Sequence, residues 1–395
     1  MLADPARNLV LALVAENENQ ALATYSEGMG MHYVQMGYDF RVINLYHPEG
    51  SKELLTLLKS GRVAFAYGFA GVGSQLAVND VNLWTASQTP FAALWFDHPC
   101  YNYRQHMVDS PYVLQCYHVQ DHFEARQKYL PASTSPAILL SMPFKPSPLA
   151  AEKPWAERKH KILFVKTANQ PEVWAEGWKK HPAALQNVLW ALVEQALKDR
   201  NLDLAGTTRT LLDLQGLDVM DLDLYMGVVQ EVDAYIRGWR SDKMARALLN
   251  HPSVIIGRGW EYLQSEPGKA TFLPPVSAPE FMRLALNHKI IANVDPLWRH
   301  GVHERVGTAL SMGAVVFTDR SLKSENLFGQ VPNYVGFEWQ DDVNAAVFTA
   351  WERVDNTAID KIMEGPRALV ERYPPEGYEG YIKSLLKAVT ALQSQ

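Results

Sequence analysis

The segment Asn293–Gly336, NVDPLWRHGVHERVGTALSMGAVVFTDRSLKSENLFGQVPNYVG, gathers the residues best suited to chemistry. A strand is expected to end at Asn293, followed by a loop carrying Arg299, His300, His303 and Arg305. A helix is expected to start near Glu304 and to stop at Gly313, a residue suited to the left-handed position after a helix. The apolar strand Ala314–Phe317 then leads into Thr318 and Asp319. Basic side chains at the start of a helix lack a favourable partner in the helix dipole. A bound anion would supply one, because free N-terminal amides and a guanidinium can grip it together. The other reading of Arg305 is an ion pair with Asp295, Glu304 or Asp319. Lys166 closes the expected strand Lys161–Lys166 and is a second candidate cation, an exposed strand-end lysine being the alternative.

Other residues could serve an acceptor. Asp97 and His98 follow the expected strand Phe91–Phe96, and either could take a proton, histidine being nearer its working pKa. The plainer reading is that Asp97 caps a turn fixed by Pro99. Gly68, Gly71 and Gly73 follow another strand end, where they would let backbone approach a ligand or simply make a tight strand-to-helix turn. Two patterns resemble metal sites and are read otherwise. Asp221-Leu222-Asp223 lies in a helical, acidic stretch and reads as a solvated face. His118 and His122 have the spacing of a metal pair but no third ligand nearby, so they read as structural histidines. No metal site and no cofactor are therefore expected.

These residues must be held by alternating strands and helices. Asn8–Ala15, Phe40–Tyr46, Val63–Tyr67, Phe91–Phe96, Tyr112–Cys116 and Ala137–Leu140 read as strands with room for crossover helices, one of them around Gln20–Met36. Continuous apolar runs such as Asn8–Ala15 suit a parallel sheet covered on both faces. Pro143, Pro146, Pro148 and Pro154 then mark a linker. The pattern restarts at Lys161–Lys166 and continues with strands at Val254–Ile256, Lys289–Asn293 and Ala314–Phe317. Between Pro182 and Asn250 the periodicity is helical, with Leu185, Val188, Leu189, Leu192, Val193, Ala196 and Leu197 along one face.

The expected fold is α/β, with two Rossmann-like domains facing across a cleft. Residues 1–150 would form the acceptor-side domain and 151–375 the donor domain, its helical segment inserted at about 182–250. A last helix in 376–395 would pack back on the first domain. Ligands of open parallel sheets bind at the carboxyl ends of the strands, which predicts a ligand but no particular reaction.

Bulk properties narrow the partners. At 395 residues the chain exceeds one ordinary core, with ~150 residues per domain as a guide. Hydrophobic residues at 47% and charged ones at 20% describe a globular protein, and no apolar run has the length of a membrane span. A net charge of −6 leaves no broad basic face for nucleic acid. The two cysteines, Cys100 and Cys116, form no CxxC pair, which fits a reducing, cytoplasmic setting.

In several places the chain resembles a known family. His303-Glu304-Arg305, then Ala309, Gly313 and Asp319, are similar to the donor-site helix of group 1 GT-B glycosyltransferases, above all the CgeB-like branch. That branch carries Arg-x-Phe-Glu-x-x-x-x-Gly, then an apolar strand and Asp. Val254–Trp260 (VIIGRGW) is similar to its strand-Gly-x-Gly-Trp element, Lys289–Asn293 to the strand before the donor helix, and Phe328–Phe337 to the segment after it. Pro90–Pro99 (PFAALWFDHP) is similar to its Pro…Trp-x-Asp-x-Pro segment. The resemblance implies a GT-B fold and transfer of a sugar from a UDP-sugar or another nucleotide-sugar to a saccharide, protein or small-molecule acceptor. It implies no metal, because basic side chains and helix amides would stabilise the departing diphosphate. Arg305, His303, Lys166, Thr308, Gly257, Gly259, Trp260 and Asp319 would then serve the donor, Asp97 or His98 the acceptor proton, and Gly71 and Gly73 the acceptor-side loop.

The pattern is broken at two adjacent positions. Gly307 and Thr308 stand where the branch has Phe and Glu. In related enzymes that Glu holds the ribose hydroxyls, whereas a threonine offers no bidentate carboxylate. A catalytically silent nucleotide-binding or scaffold protein, or an epimerase acting on a nucleotide-sugar, are therefore the competing readings. A nicotinamide dehydrogenase is disfavoured, since no G-x-G-x-x-G follows the first strand.

Overall fold

The computed structural model describes residues 6–15, 21–141, 144, 153–356, 358–373 and 377–392. Linker residues Pro143, Pro146 and Pro148, and Gln20 at the head of the first expected helix, lie outside them. The chain divides into two compact units, Met1–Pro143 with Ser277–Pro279 and Glu376–Gln395, and Phe144–Val276 with Glu280–Pro375.

The first unit is built on the strands β1 (Leu9–Val14), β2 (Asp39–Asn44), β3 (Val63–Phe69), β6 (Phe91–Trp95), β7 (Val113–Tyr117) and β8 (Ala137–Leu139), with a two-stranded hairpin of β4 (Ala77–Val78) and β5 (Val81–Asn82) inserted after β3. The six-stranded sheet has the order β2-β1-β3-β6-β7-β8, and every pair in it is parallel. All six residues of β1 are buried, because both faces of the sheet are covered. The period of two then sorts them: Val10 and Ala12 join one core, and Leu9, Leu11 and Leu13 join the other.

The helix Gly377–Leu392 completes the first of these cores. Its Tyr381, Ile382, Leu385 and Val389 pack with Val10, Phe65, Leu94 and Leu114.

The second unit contains β9 (Lys159–Val165), β10 (Ser253–Ile256), β11 (Ala270–Leu273), β12 (His288–Asn293), β13 (Val315–Asp319) and β14 (Tyr334–Phe337). Its order is β11-β10-β9-β12-β13-β14, again wholly parallel. Ile162 and Phe164 of β9 face one core, Leu163 the other. Between β9 and β10 the chain makes the helices Ala183–Lys198, Leu204–Leu214 and Leu222–Leu249. The expected stripe on the first of these is buried at Leu185, Val188, Leu189, Leu192, Val193 and Ala196, and only Leu197 is half-buried. Among the described residues no helix is long and apolar enough to cross a membrane.

Two strands of this sheet lack a clear sequence signal. Residues 270–273 (ATFL) form an outer strand that alternates between half-buried and exposed, so no continuous apolar run marks it. Residues 334–337 (YVGF) make a four-residue strand interrupted by Gly336. Both are short and sit at sheet edges; the first lacks burial on two faces, whereas Tyr334 and Val335 of the second feed opposite cores but make too short a run to read.

Candidate functional site

In the second unit consecutive strands leave β9 in opposite directions, β10 and β11 to one side and β12 to β14 to the other. The loops after β9 and β12 therefore diverge, which leaves a crevice at their carboxyl ends. Lys166 follows β9, and the segment from Val294 to Arg305 follows β12.

The backbone around Lys166 is fixed by the residues after β10. Lys166 N donates to Ile256 O at 2.9 Å, and Lys166 O accepts from the buried Trp260 Nε1 at 2.7 Å. Ala168 N donates to Arg258 O at 2.8 Å. Gly257 has a φ of +153°, and a Cβ there would run into the Lys166 carbonyl. Gly257, Gly259 and Trp260 thus act on the loop that presents Lys166. The lysine itself is half-buried. Burial, then the nearby charges of Arg305 and Arg237, push its pKa down to about 7, against the pull of Glu304 and Asp319.

His303 caps the helix Glu304–Ser311, its Nδ1 lying 3.2 Å from Arg305 N as acceptor. Two backbone bonds, Gly313 N to Leu310 O and Ala314 N to Ala309 O, close the other end, and Gly313 has a φ of +66°. The helix expected from the sequence is therefore bounded as read. His303 is buried, and its ring stacks on Trp298 at 5.7 Å. Burial lowers its pKa to about 4 despite Glu304, whose Oε2 is 2.9 Å from the same Nδ1. A neutral ring with Nδ1 accepting from Arg305 N is the state consistent with the cap. Burial raises Glu304, but His303 and Arg305 outweigh it and hold the carboxyl well below its usual range.

Arg305 differs from its neighbours. Its Nη1 is buried with no hydrogen-bond partner among the described residues, and its Nη2 only approaches Glu304 Oε1, at 4.0 Å. Asp295 and Asp319, the other two partners considered for it, are engaged elsewhere. Asp319 accepts from Asp295 N at 2.7 Å and from Trp339 Nε1 at 2.8 Å, and it lies 3.5 Å from Arg240 Nη1. Asp295 accepts from Asn293 Nδ2 at 2.6 Å, leaving its Oδ2 buried without a partner. Burial raises both carboxyls; Arg240 and the N–H donors restrain Asp319, so Asp295 is the one that keeps a proton. Asp319 thus braces the loop after β12 and is nearly inaccessible at 3% exposure.

Thr308 is half-buried and lies one turn beyond Glu304 on the same helical face. Gly307 is explained by packing: a Cβ there would strike the ring of Phe144, which stacks on Tyr373 at 5.6 Å.

Sequence reasoning missed Arg237, Arg240 and Trp339. The first two lie within the 28-residue helix Leu222–Leu249, where nothing in the periodicity singles out an arginine. Asp295 was visible as a residue just beyond a strand, but its burial was not.

In the first unit Asp97 is exposed after β6, and His98 Nδ1 accepts from Cys100 N at 3.2 Å. This gives His98 a capping role. Gly71 and Gly73 are pressed against the Trp95 ring and Leu13, so packing alone requires them. His118 bonds to Trp95 O and to Tyr381 OH, each at 2.9 Å, and burial lowers its pKa to about 4. His122 is also buried, and Cys100 and Cys116 are buried free thiols. Asp221 is the N-cap of its helix, accepting from Asp223 N and Leu224 N, so the Asp-x-Asp pattern is a cap rather than a merely solvated face. Among the described residues no group of three or more His, Cys, Asp or Glu gathers as a metal would require.

No family model matches the sequence, and no curated protein sequence matches it. Solved structures match the fold. An alpha-glucosyltransferase, in complex with UDP-glucose and DNA containing an abasic site, matches with a TM-score of 0.57 at 9% identity, over 97% of this chain and 99% of that one. Sucrose-phosphate synthase from Thermosynechococcus elongatus gives 0.54 at 10% identity, over 98% and 100%. T4 phage BGT in complex with UDP and Mn2+ gives 0.51 at 8% identity, over 96% and 99%. At these identities the likeness is one of fold, two parallel-sheet α/β units as in GT-B glycosyltransferases.

The buried network under the loop yields a contrast. Arg240→Met should cost about 3–5 kcal/mol, because it strands the Asp319 charge. Asp295→Asn, which replaces a neutral acid with a neutral amide, should cost less than about 1 kcal/mol. Urea unfolding at neutral pH measures both, and equal losses would show that Asp295 is ionised.

Proposed function

We propose that this chain is a cytoplasmic, metal-independent glycosyltransferase of CgeB-like type. It would move a sugar from a UDP-sugar, or another nucleotide-diphosphate sugar, to a saccharide or protein acceptor. The observation that carries the reading is Arg305 Nη1, buried and unpartnered at a helix N-terminus beside a lysine whose ammonium is already disfavoured. Such a place lacks an anion. The fold supports the class of anion, since the glycosyltransferases above were solved with UDP-glucose or UDP.

In this reading an acceptor hydroxyl attacks the anomeric carbon as the carbon–oxygen bond to the diphosphate breaks. Arg305 and Lys166 take up the charge that develops on the leaving diphosphate, since the amides of Arg305, Val306 and Gly307 are already bonded to His303. If the anomeric centre inverts, Asp97 or His98 accepts the hydroxyl proton. The net charge of −6 argues against a DNA acceptor like that held by one of the neighbours. A silent nucleotide binder is the second reading, favoured by Thr308 in place of a ribose-binding carboxylate.

Calorimetric titration with UDP and UDP-glucose, followed by assay for release of UDP, tests the proposal. Binding with turnover supports transfer, binding without turnover supports the silent reading, and no binding ends both. Arg305→Ala should weaken UDP by about 10- to 100-fold, as for a lost charge-assisted hydrogen bond, while the melting temperature stays within a few degrees. Unchanged affinity would remove Arg305 from the site.

The Lys166 ammonium is present below pH about 7 and lost above it. Affinity for UDP-glucose, whose diphosphate diester does not titrate there, should therefore fall as pH rises through 7, by at most about tenfold per unit. Lys166→Met should flatten that profile. Chelation by EDTA should leave turnover intact, and strict dependence on added divalent ion would refute the metal-free mechanism.

A further inference from the structure

The helical segment between β9 and β10 brings a residue to the crevice that neither the motif nor the strand ends disclose. Arg237 belongs to the 28-residue helix Leu222–Leu249. Its neighbour Gly238 is pressed on the carbonyl of Asn169, three residues beyond Lys166, so closely that a Cβ would not fit. Asn169 Nδ2 donates to Ala234 O of the same helix at 3.2 Å, and Asn169 Oδ1 accepts from Trp174 Nε1 at 3.0 Å. One turn of the long helix is thereby locked onto the loop after β9. The Arg237 charge is close enough to disfavour protonation of Lys166, as the Arg305 charge also does.

Arg237 is mostly buried, and its Nε lies 2.6 Å from Oδ2 of Asp233, one turn earlier on the helix and itself buried. Lys166 at the end of β9 thus feels the charges of both Arg305 and Arg237. Of the nearby carboxylates, Asp233 is paired with Arg237, Glu304 lies 4.0 Å from Arg305, and Asp319 is committed to Arg240. An arrangement with one positive charge in excess suits a ligand carrying more than one negative charge.

We infer that Arg237 is a third diphosphate-binding residue, delivered by the inserted helix and held in place by Asp233. The inference rests on the donor reading proposed above and adds a residue to it. A guanidinium on a rigid helix offers a planar, bidentate grip on two phosphate oxygens, where Lys166 offers a point charge. It would also explain why the long helix is tied to the β9 loop: the cation must not drift from the anion.

The test compares wild type with Arg237→Gln and with the double variant Asp233→Asn/Arg237→Gln, which leaves no buried carboxylate stranded should the single variant fail to fold. UDP is titrated by calorimetry and uridine by NMR. Expected is a rise of about 10- to 100-fold in the Kd for UDP in the folded variants, with uridine within about twofold of wild type. UDP affinity within about twofold of wild type would overturn the assignment of Arg237 while leaving the donor reading intact. Equal weakening of UDP and uridine would also overturn it, since a merely structural role acts on both. Failure of the wild-type protein to bind UDP would overturn the donor reading itself, and this inference with it.

Discussion

Positive charge brought together without enough negative charge nearby is costly in a partly buried place, and the second unit accepts that cost at the carboxyl ends of β9 and β12. The Lys166 backbone is held there by bonds to the Ile256 carbonyl and the Trp260 indole. Arg305 is fixed on a helix closed at both ends, by His303 and by the bonds at Gly313. The effect on Lys166 is the measure of the conflict: its ammonium is disfavoured first by burial and then by two guanidiniums. Folding alone gains nothing from this arrangement.

Holding such a site open requires a rigid floor. Arg240, Asp319, Asp295 and Trp339 form it, all of them buried and linked through Asp319. A lone buried carboxylate would be prohibitive, but one ion pair with two N–H donors is tolerable, and the second carboxyl avoids the problem by staying neutral. The loop after β12 is consequently tied to β13 through Asp295 N and Asp319. The same side chain that resembles a donor residue in the motif is spent on support, and its burial explains why a motif match alone overstated its access to ligand.

Much of the architecture was legible because parallel strands covered on both faces need continuous apolar runs, and Asn8–Ala15, Lys161–Lys166 and Ala314–Phe317 supply them. The cap chemistry at Gly313 was legible for a similar reason, since few other residues fit a positive φ. Outer strands escaped notice: ATFL is half-exposed, and YVGF, though buried on both faces, is only four residues long and broken by Gly336. Asp-x-Asp at 221–223 was half understood, because an N-cap and a solvated acidic face have the same composition and differ only in where the helix begins. Arg237 and Arg240 were invisible on principle. A helix of 28 residues carries charged side chains throughout, and only its docking on the rest of the unit sets these two arginines apart from those that face water.

The departure at positions 307 and 308 looks different in three dimensions from its appearance as two substitutions. At Gly307 the ring of Phe144 lies against the helix and stacks on Tyr373, so aromatic volume there comes from another part of the chain. Thr308 has no such substitute. The carboxylate present on that face, Glu304, is one turn nearer the helix N-terminus and is held by His303 and Arg305. In the proposed donor mode a nucleoside near Thr308 meets one hydroxyl with a single donor and two lone pairs, not a carboxylate that can accept from both ribose hydroxyls. Lost bidentate bonding weakens the choice among sugars and bases more than it weakens the grip on phosphate, because the two contacts involve different ends of the ligand. In that mode the first turn of the short helix serves the anion, and the second offers the nucleoside only the Thr308 hydroxyl.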